Sequence, residues 1–146
     1  IRLAKKYHVW NVLEKKYLGY VDKARINLDM YPKFFALLPA KPVRMALEPG
    51  QKKILQGKTI HIAGKINFTD GNAGDIASLG HVVHVRVYAP DGEEVECYRQ
   101  NIIFDGAVFE TSLPISYSET VGVYTVKAEY PVTGMEAHAS FEVVQE

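Results

Sequence analysis

The sequence predicts an all-β protein in which most of the chain forms a sandwich of two antiparallel sheets. Apolar and polar residues alternate over many short stretches, which is the period of a strand with one buried face. Gly, Pro and Asp separate these stretches at the spacing typical of β-sandwiches. No stretch shows the period of about 3.6 residues that marks an amphipathic helix, so we expect strands throughout.

Length and composition fit a folded domain and exclude several classes of partner. The chain has 146 residues, of which 47% are hydrophobic and 23% charged, as in ordinary globular proteins. Its formal net charge is zero, so no electrostatic field draws in nucleic acid or an anionic membrane. No apolar run approaches the roughly 20 residues that a membrane-spanning helix needs. We therefore expect neither nucleic acid nor a membrane as a partner.

Residues 1–39 are predicted to form a short β-meander. The expected strands lie at 7–13, 17–21, 24–28 and 34–38, with polar or proline-marked turns between them. Four short strands do not enclose a core of their own, so we expect their apolar face to pack on the part of the chain that follows or on a missing partner. Because the chain begins without Met and enters strand-like sequence at once, we interpret it as a piece of a longer protein. The apolar face of the meander includes Trp10, Ile26, Leu28 and Phe35.

Two prolines, Pro39 and Pro42, mark the predicted boundary between this meander and a sandwich over residues 43–146. About seven strands fit into this second part. Gly64 is expected to mark a β-bulge in one of them. The residues expected to face the core are Val43, Met45, Leu47, Ile60, Ile62, Ile66, Phe68, Val83, Val85, Val87, Ala107, Phe109, Thr111, Leu113, Ile115, Tyr124, Val126, Ala128, Tyr130, Met135, Ala137, Ala139, Phe141 and Val143.

The centre of the predicted sandwich is a β-hairpin over residues 82–101. A Pro-Asp-Gly turn at 90–92 supplies in sequence a fixed φ, a side-chain cap and a permissive φ. We expect the second strand of the hairpin around Val95, Cys97 and Tyr98. Cys97 is the only cysteine, so an intrachain disulfide is excluded, and we expect its thiol to be buried or half-buried in that strand.

Several of these segments together resemble macroglobulin-type immunoglobulin-like modules. The similar stretches are EPG at 48–50, residues 60–68, residues 85–93, GVYTV at 122–126 and residues 137–143. The resemblance implies a seven-stranded immunoglobulin-like fold without catalytic function, in which the tyrosine of GVYTV fills the space between the sheets. The alternation agrees, because Tyr124 shares its parity with Val126 and Ala128.

The first part of the chain resembles the closing strands of the β-domain that follows the catalytic barrel in bacterial glycoside hydrolases. The resemblance rests on VWNVL at 9–13, KYLG at 16–19 and FFALLP at 34–39. It implies the C-terminal region of a large bacterial carbohydrate-active protein whose catalytic acids lie upstream, and we expect a secreted or periplasmic location. The expected function is that of a non-catalytic structural or interaction module, whose partners are the neighbouring domains of the parent protein.

No motif predicts catalysis, a cofactor or a metal site. The sequence DGNAGD at 70–75 has the oxygen ligands and glycines of a calcium loop, but it departs from the EF-hand pattern and has His81 where the bidentate Glu belongs. His81 and His84 are three residues apart, which on one strand sends them to opposite faces. His84 and His138 would share an outer face if their strands share a sheet, without a clear third ligand for zinc. The serines lack a nucleophile-elbow context.

Binding of a polysaccharide is the main alternative function. Aromatic rings on the surface of β-sandwich modules stack on sugar faces, and Tyr88 and Tyr117 are the candidate sugar contacts. Tyr98 and Tyr130 can join such a platform or equally fill the core as amphipathic residues. A third alternative is a macroglobulin- or adhesin-like domain that works through protein contacts.

Overall fold

The structure, a computed structural model, describes residues 1–27 and 30–145 and confirms the all-β sandwich. Two short helical pieces accompany the strands, α1 (Ala73–Ala77) and a 3-10 turn (Glu96–Tyr98). No helix within the described ranges is long and apolar enough to cross a membrane. The strands are β1 (Arg2–Asn11), β2 (Lys16–Lys23), β3 (Phe35–Leu38), β4 (Lys41–Pro49), β5 (Lys53–Leu55), β6 (Thr59–Thr69), β7 (Gly80–Tyr88), β8 (Gln100–Asp105), β9 (Val108–Pro114), β10 (Gly122–Tyr130) and β11 (Met135–Val144).

The sandwich consists of a five-stranded sheet, β5-β11-β10-β7-β8, and a three-stranded sheet, β4-β6-β9. Its pairings are antiparallel except for that of β11 with β5, which is parallel. Strand β5 has three residues, too few to show an alternation, and it brings the strands of the sandwich to eight rather than seven. The inward residues of the two sheets form one hydrophobic core, as the alternation predicts.

Tyr124 lies within this core and is completely buried. Its ring stacks on that of Phe141, with the ring centroids 5.6 Å apart. Val126 and Ala128, which share its parity on β10, are also fully buried. The inward face of β10 is therefore the one that the sequence predicts.

The connection between β7 and β8 differs from the predicted hairpin. The turn at 90–92 forms, and Tyr88 makes an isolated bridge to Glu94. Residues 96–98 then form the 3-10 turn instead of a strand. The strand that pairs with β7 is β8, in a register that joins Val85 to Gln100. The second strand of the hairpin is thus displaced toward the C-terminus.

The side chain of Tyr98 explains this displacement. Tyr98 is 5% exposed, and its hydroxyl donates to Glu119 Oε1 over 2.9 Å. Turning Tyr98 into the core breaks the alternation of an extended strand, and the 3-10 turn accommodates the break. The same turn leaves Cys97 exposed, so the prediction of a buried thiol is wrong.

Two details of the three-stranded sheet also differ from the sequence prediction. The register shift lies in β4 between Pro42 and Arg44, and Val43 is 49% exposed instead of facing the core. Gly64 pairs with β4 in regular register and is not a bulge. A Cβ at Gly64 would overlap the ring of Phe109, so the glycine makes room for a neighbouring side chain.

The N-terminal residues form a separate three-stranded sheet in the order β2-β1-β3. The predicted strand at 24–28 is not formed by residues 24–27, and Leu28 lies outside the described residues. Because β3 pairs with the edge of β1 opposite to β2, the chain that follows Lys23 must cross from one edge of the sheet to the other. It therefore serves as a crossover connection.

Polar contacts join this N-terminal sheet to the sandwich. Lys15, in the turn between β1 and β2, forms an ion pair with Glu129 on β10. Lys41 Nζ lies 4.6 Å from the centroid of the Tyr17 ring. Within the described ranges, the hydrophobic core begins at Met45 and takes no residue from the N-terminal sheet. The two parts touch without sharing a core.

Replacing Tyr124 by Ala removes a fully buried ring, so we expect the free energy of unfolding to fall by about 3–5 kcal/mol. The matched controls are Thr125→Ala and Lys127→Ala, whose side chains point outward from the same strand and which should each cost less than about 1 kcal/mol. Urea titrations followed by far-ultraviolet circular dichroism measure the three losses. Similar losses for Tyr124 and Lys127 would show that the inward face is wrongly assigned.

Candidate functional site

The loop at 70–75 begins a helix and uses its polar groups for that purpose. Asn72 caps α1, because its Oδ1 accepts a hydrogen bond from the Asp75 N–H over 2.8 Å. Its Nδ2 donates to Asp75 Oδ2, also over 2.8 Å. Asp70 adopts a φ of 62°, a conformation that Asp tolerates better than most residues. In residues 1–27 and 30–145, no group of three or more His, Cys, Asp or Glu is arranged to hold a metal ion.

The structure separates the histidines that the sequence analysis considered. His84 and His138 lie on the outer face of one sheet, but β10 runs between their strands. The register places Glu129 opposite His84 and Lys127 opposite His138. His81 is buried on the opposite face of β7, as the spacing of three predicts.

Two buried imidazoles lie near the junction of the N-terminal sheet with the sandwich. His8 is 3% exposed, and its Nδ1 lies 2.8 Å from the Tyr17 hydroxyl. His81 is 4% exposed, and its Nδ1 lies 2.9 Å from the Tyr130 hydroxyl. Nε2 of each ring is buried without a hydrogen-bond partner among the described residues. A buried and unsatisfied ring nitrogen makes the charged form of the ring costly.

Burial is the main cause that lowers the pKa of both imidazoles. For His8, the nearby Asp70 carboxylate opposes this effect and the Lys41 ammonium adds to it. For His81, the Asp105 carboxylate opposes it. Both rings are therefore neutral in the folded protein at neutral pH.

A serine and a histidine meet on the outer face of the three-stranded sheet. The hydroxyl of Ser112 lies 2.8 Å from Nδ1 of His61, its cross-strand neighbour on β6. Both side chains are exposed, and no carboxylate within the described ranges forms a hydrogen bond with the ring. The pair has the geometry of a cross-strand polar contact and lacks the third group that orients a catalytic histidine.

The four tyrosines of the proposed sugar platform do not lie together. Tyr98 and Tyr130 are 5% and 1% exposed and belong to the hydrophobic core. Tyr88 is half-buried on the outer face of β7. Tyr117 is 80% exposed on the loop between β9 and β10. The two candidate contacts Tyr88 and Tyr117 therefore occupy different surfaces.

The loop that carries Tyr117 is held to the core by hydrogen bonds from two buried tyrosines, Tyr98 and Tyr124. Glu119 accepts a hydrogen bond from Tyr98 at Oε1, and the Tyr124 hydroxyl lies 2.9 Å from both Glu119 Oε2 and the Thr120 carbonyl. The Ser116 N–H donates to the Tyr98 hydroxyl over 3.2 Å. These contacts attach the loop to the core at three neighbouring positions.

Both of these hydroxyls stay protonated at neutral pH. Burial raises the pKa of Tyr98 to about 12, with the N–H of Ser116 opposing the rise and Glu119 adding to it. Burial and the hydrogen bond to Glu119 also raise the pKa of Tyr124. The tyrosines are therefore permanent donors to the carboxylate of Glu119.

A groove lies beside Tyr117 and is lined by Leu55, Gln56, Lys58 and Gln145. Gly57 has a φ of 75° and lies so close to Tyr117 that a Cβ there would overlap the ring. The Gln56 side chain donates to the Glu119 carbonyl over 2.5 Å, which ties the β5–β6 turn to the loop of Tyr117. Gln56, Lys58 and Gln145 were not among the residues predicted from the sequence. The Gln-Gly-Lys turn is a signal for the first two, and Gln145 has no local signal.

The second notable surface is one face of the N-terminal sheet. Its side chains and those of the segment after β2 line a small apolar cavity that is open to solvent. The register joins Val9 to Leu37, so these two side chains lie on the same face. Leu37 is 42% exposed and Ile1 76% exposed. The residues that line the cavity are Ile1, Leu3, Val9, Ala24, Ile26, Phe35 and Leu37.

No protein-family model matches this sequence, and no curated protein matches it. Among solved structures, the chain is similar to the alkylpurine DNA glycosylase AlkC of Pseudomonas fluorescens bound to DNA, with 16% identity and a TM-score of 0.43. That match covers 73% of this chain and 30% of the glycosylase. The chain thus spans less than a third of that protein.

Two further solved structures show similar levels of likeness. A CARDB domain from Pyrococcus furiosus has 16% identity and a TM-score of 0.43, covering 70% of this chain and 94% of that domain. A β-glucosidase from Listeria innocua has 11% identity and a TM-score of 0.44, covering 70% of this chain and 16% of the enzyme. These chains share a β-rich region with the present protein, and the likeness is too low to carry an argument about its function.

The two buried imidazoles predict a loss of stability in weak acid. Their pKa in the folded state lies below the unfolded value of 6.5, so the unfolded chain takes up protons first as the pH falls. Titration of these two rings leaves the free energy of unfolding unchanged above about pH 6.5. Below that pH it lowers the free energy of unfolding by at most about 1.4 kcal/mol per pH unit for each ring. Urea titrations at a series of pH values measure the slope.

The variant His81→Phe removes one of these proton sites and should flatten the slope. His138→Gln, on the exposed outer face, is the matched control and should retain the full decline. An equal slope in both variants would contradict the assignment to His81.

Calcium and zinc should leave the melting temperature unchanged, because the loop at 70–75 is used as a helix cap. An ion that binds the native state would add about 2.7 kcal/mol at about a hundredfold excess over its dissociation constant. Thermal melts with each ion and with a chelator test this expectation. A rise that is abolished by replacing Asp70 and Asp75 together with Ala would establish a calcium loop.

Proposed function

We propose that this chain is a non-catalytic accessory module of a bacterial carbohydrate-active enzyme, and that its N-terminal sheet packs on a neighbouring domain of the same protein. The observation that carries the proposal is the distribution of exposed apolar side chains. Eight of the fourteen large hydrophobic residues that are strongly exposed in the described ranges lie within residues 1–39, ahead of the sandwich. An apolar surface concentrated in this way marks an interaction site.

The apolar face points away from the sandwich. His8 and Tyr17 contact one another, and Lys41, at the start of the sandwich, lies over the Tyr17 ring. Val9 follows His8 on the same strand, so its side chain lies on the other face of the sheet. Val9 itself is buried, but Ile1 and Leu37 beside it are exposed, and this exposed apolar part is available to another domain.

The sequence resemblance supports a β-domain as the occupant of this face. The segments at 9–13, 16–19 and 34–39 resemble the closing strands of the β-domain that follows a glycoside hydrolase barrel. In the structure the first and last of these segments fall mainly in β1 and β3, which pair with each other. Closing strands bury their apolar face against the rest of their own domain.

The side chains of the groove beside Tyr117 support a non-catalytic role. Hydrolysis of a glycoside commonly needs two carboxyl groups that flank the scissile bond. The groove beside Tyr117 is lined by no carboxylate within the described residues. The contact of Ser112 with His61 is exposed and has no orienting carboxylate there either.

A photo-crosslinking residue placed at Leu37 in the full-length protein tests the docking. We expect crosslinks from position 37 to peptides of a β-domain in the same polypeptide, identified by mass spectrometry. Val108 is the matched control, because it is 54% exposed on the outer face of the three-stranded sheet. We expect no such crosslinks from position 108.

Two results would contradict the proposal. Crosslinks of equal yield from positions 37 and 108 would show that the apolar face has no specific occupant. Crosslinks from position 37 to a different protein would replace the neighbouring domain by a separate partner.

A further inference from the structure

The groove beside Tyr117 combines an exposed aromatic ring with polar side chains that have no partner inside the protein. The Tyr117 hydroxyl, the Lys58 ammonium and the Gln145 amide make no hydrogen bond to the rest of the described chain. The Gln56 side-chain N–H donates one hydrogen bond to the Glu119 carbonyl, which fixes the orientation of the amide. The second N–H and the amide oxygen of Gln56 stay available to a ligand. Donors and acceptors therefore line the same groove as an exposed aromatic ring.

The ring is held in place before any ligand arrives. Its loop is attached to the core through Glu119 and Ser116, and its neighbour Gly57 donates its N–H to the Ile115 carbonyl over 2.8 Å. The Ser118 N–H donates to the Ser116 hydroxyl over 3.2 Å, which closes the tip of the loop. A contact surface that is ordered in advance loses little conformational entropy on binding.

We infer that this groove binds a glycan, with one sugar ring stacked on Tyr117 and its polar substituents bound by Gln56, Lys58 and Gln145. Sugars present apolar C–H faces ringed by hydroxyl groups, and an aromatic ring flanked by amides and an ammonium group complements both features. The groove lies on the β9–β10 loop and the β5–β6 turn, elements that the N-terminal sheet does not include. The inference therefore stands independently of the proposed docking.

Affinity electrophoresis of the intact chain tests the inference, with xyloglucan, glucomannan and polygalacturonate as the immobilised probes. We expect at least one of these polysaccharides to retard the protein. Tyr117→Ala should weaken the retardation about tenfold, while Tyr117→Phe keeps the stacking ring and should retain most of it. Lys58→Gln should weaken binding further for polygalacturonate than for the neutral probes, because it removes a positive charge.

The matched control is Tyr88→Ala, the same substitution at an outward tyrosine of β7 that does not line the groove. It should leave the retardation unchanged. Tyr117 is exposed, so its replacement should not alter the melting temperature, and a melt of each variant confirms that it is folded. Absence of retardation by all three probes, or equal effects of Tyr117→Ala and Tyr88→Ala, would overturn the inference. Failure of the crosslinking at position 37 would leave this result unaffected.

Discussion

The carboxylate of Glu119 is the contact on which one end of the sandwich depends. Its Oε1 accepts a hydrogen bond from the Tyr98 hydroxyl, and its Oε2 lies 2.9 Å from the Tyr124 hydroxyl. The Tyr124 hydroxyl also lies 2.9 Å from the carbonyl of Thr120, four residues earlier, the arrangement known as a tyrosine corner in immunoglobulin-like sandwiches. Without this carboxylate the buried Tyr98 hydroxyl would have no acceptor for its proton in the described chain, and an unsatisfied buried group costs about 1–3 kcal/mol. This geometry also determines where Tyr117 emerges.

The period of two predicted the core well, because a strand with one buried face imposes that period on its sequence. It predicted the inward residues of β10 and β11. It did not predict the 3-10 turn, since the position of Tyr98 depends on Glu119, 21 residues further along the chain. The register shift between Pro42 and Arg44 was also not predicted, because such a shift depends on the partner strand and leaves no local pattern in the sequence.

The candidate sites were accessible to sequence analysis to different degrees. Tyr117 could be selected as an aromatic residue in a polar loop, and the apolar residues of the meander indicated a face that needs another surface to pack on. The groove beside Tyr117 could not be predicted, since its walls come from the β5–β6 turn, the β9–β10 loop and the end of β11. The pairing of β5 with β11 brings the first and last of these together, and β5 is too short to be recognised.

The polar junction between the N-terminal sheet and the sandwich determines what the single tryptophan reports. Trp10 lies in β1 and packs against Tyr17, whereas the hydrophobic core that the structure describes from Met45 onward contains no tryptophan. The Lys15–Glu129 pair is partly exposed, so it couples the two parts weakly, and added salt weakens it further. Segments that do not share a core open as separate cooperative units. The fluorescence of Trp10 therefore reports the opening of the N-terminal sheet and does not report the unfolding of the sandwich.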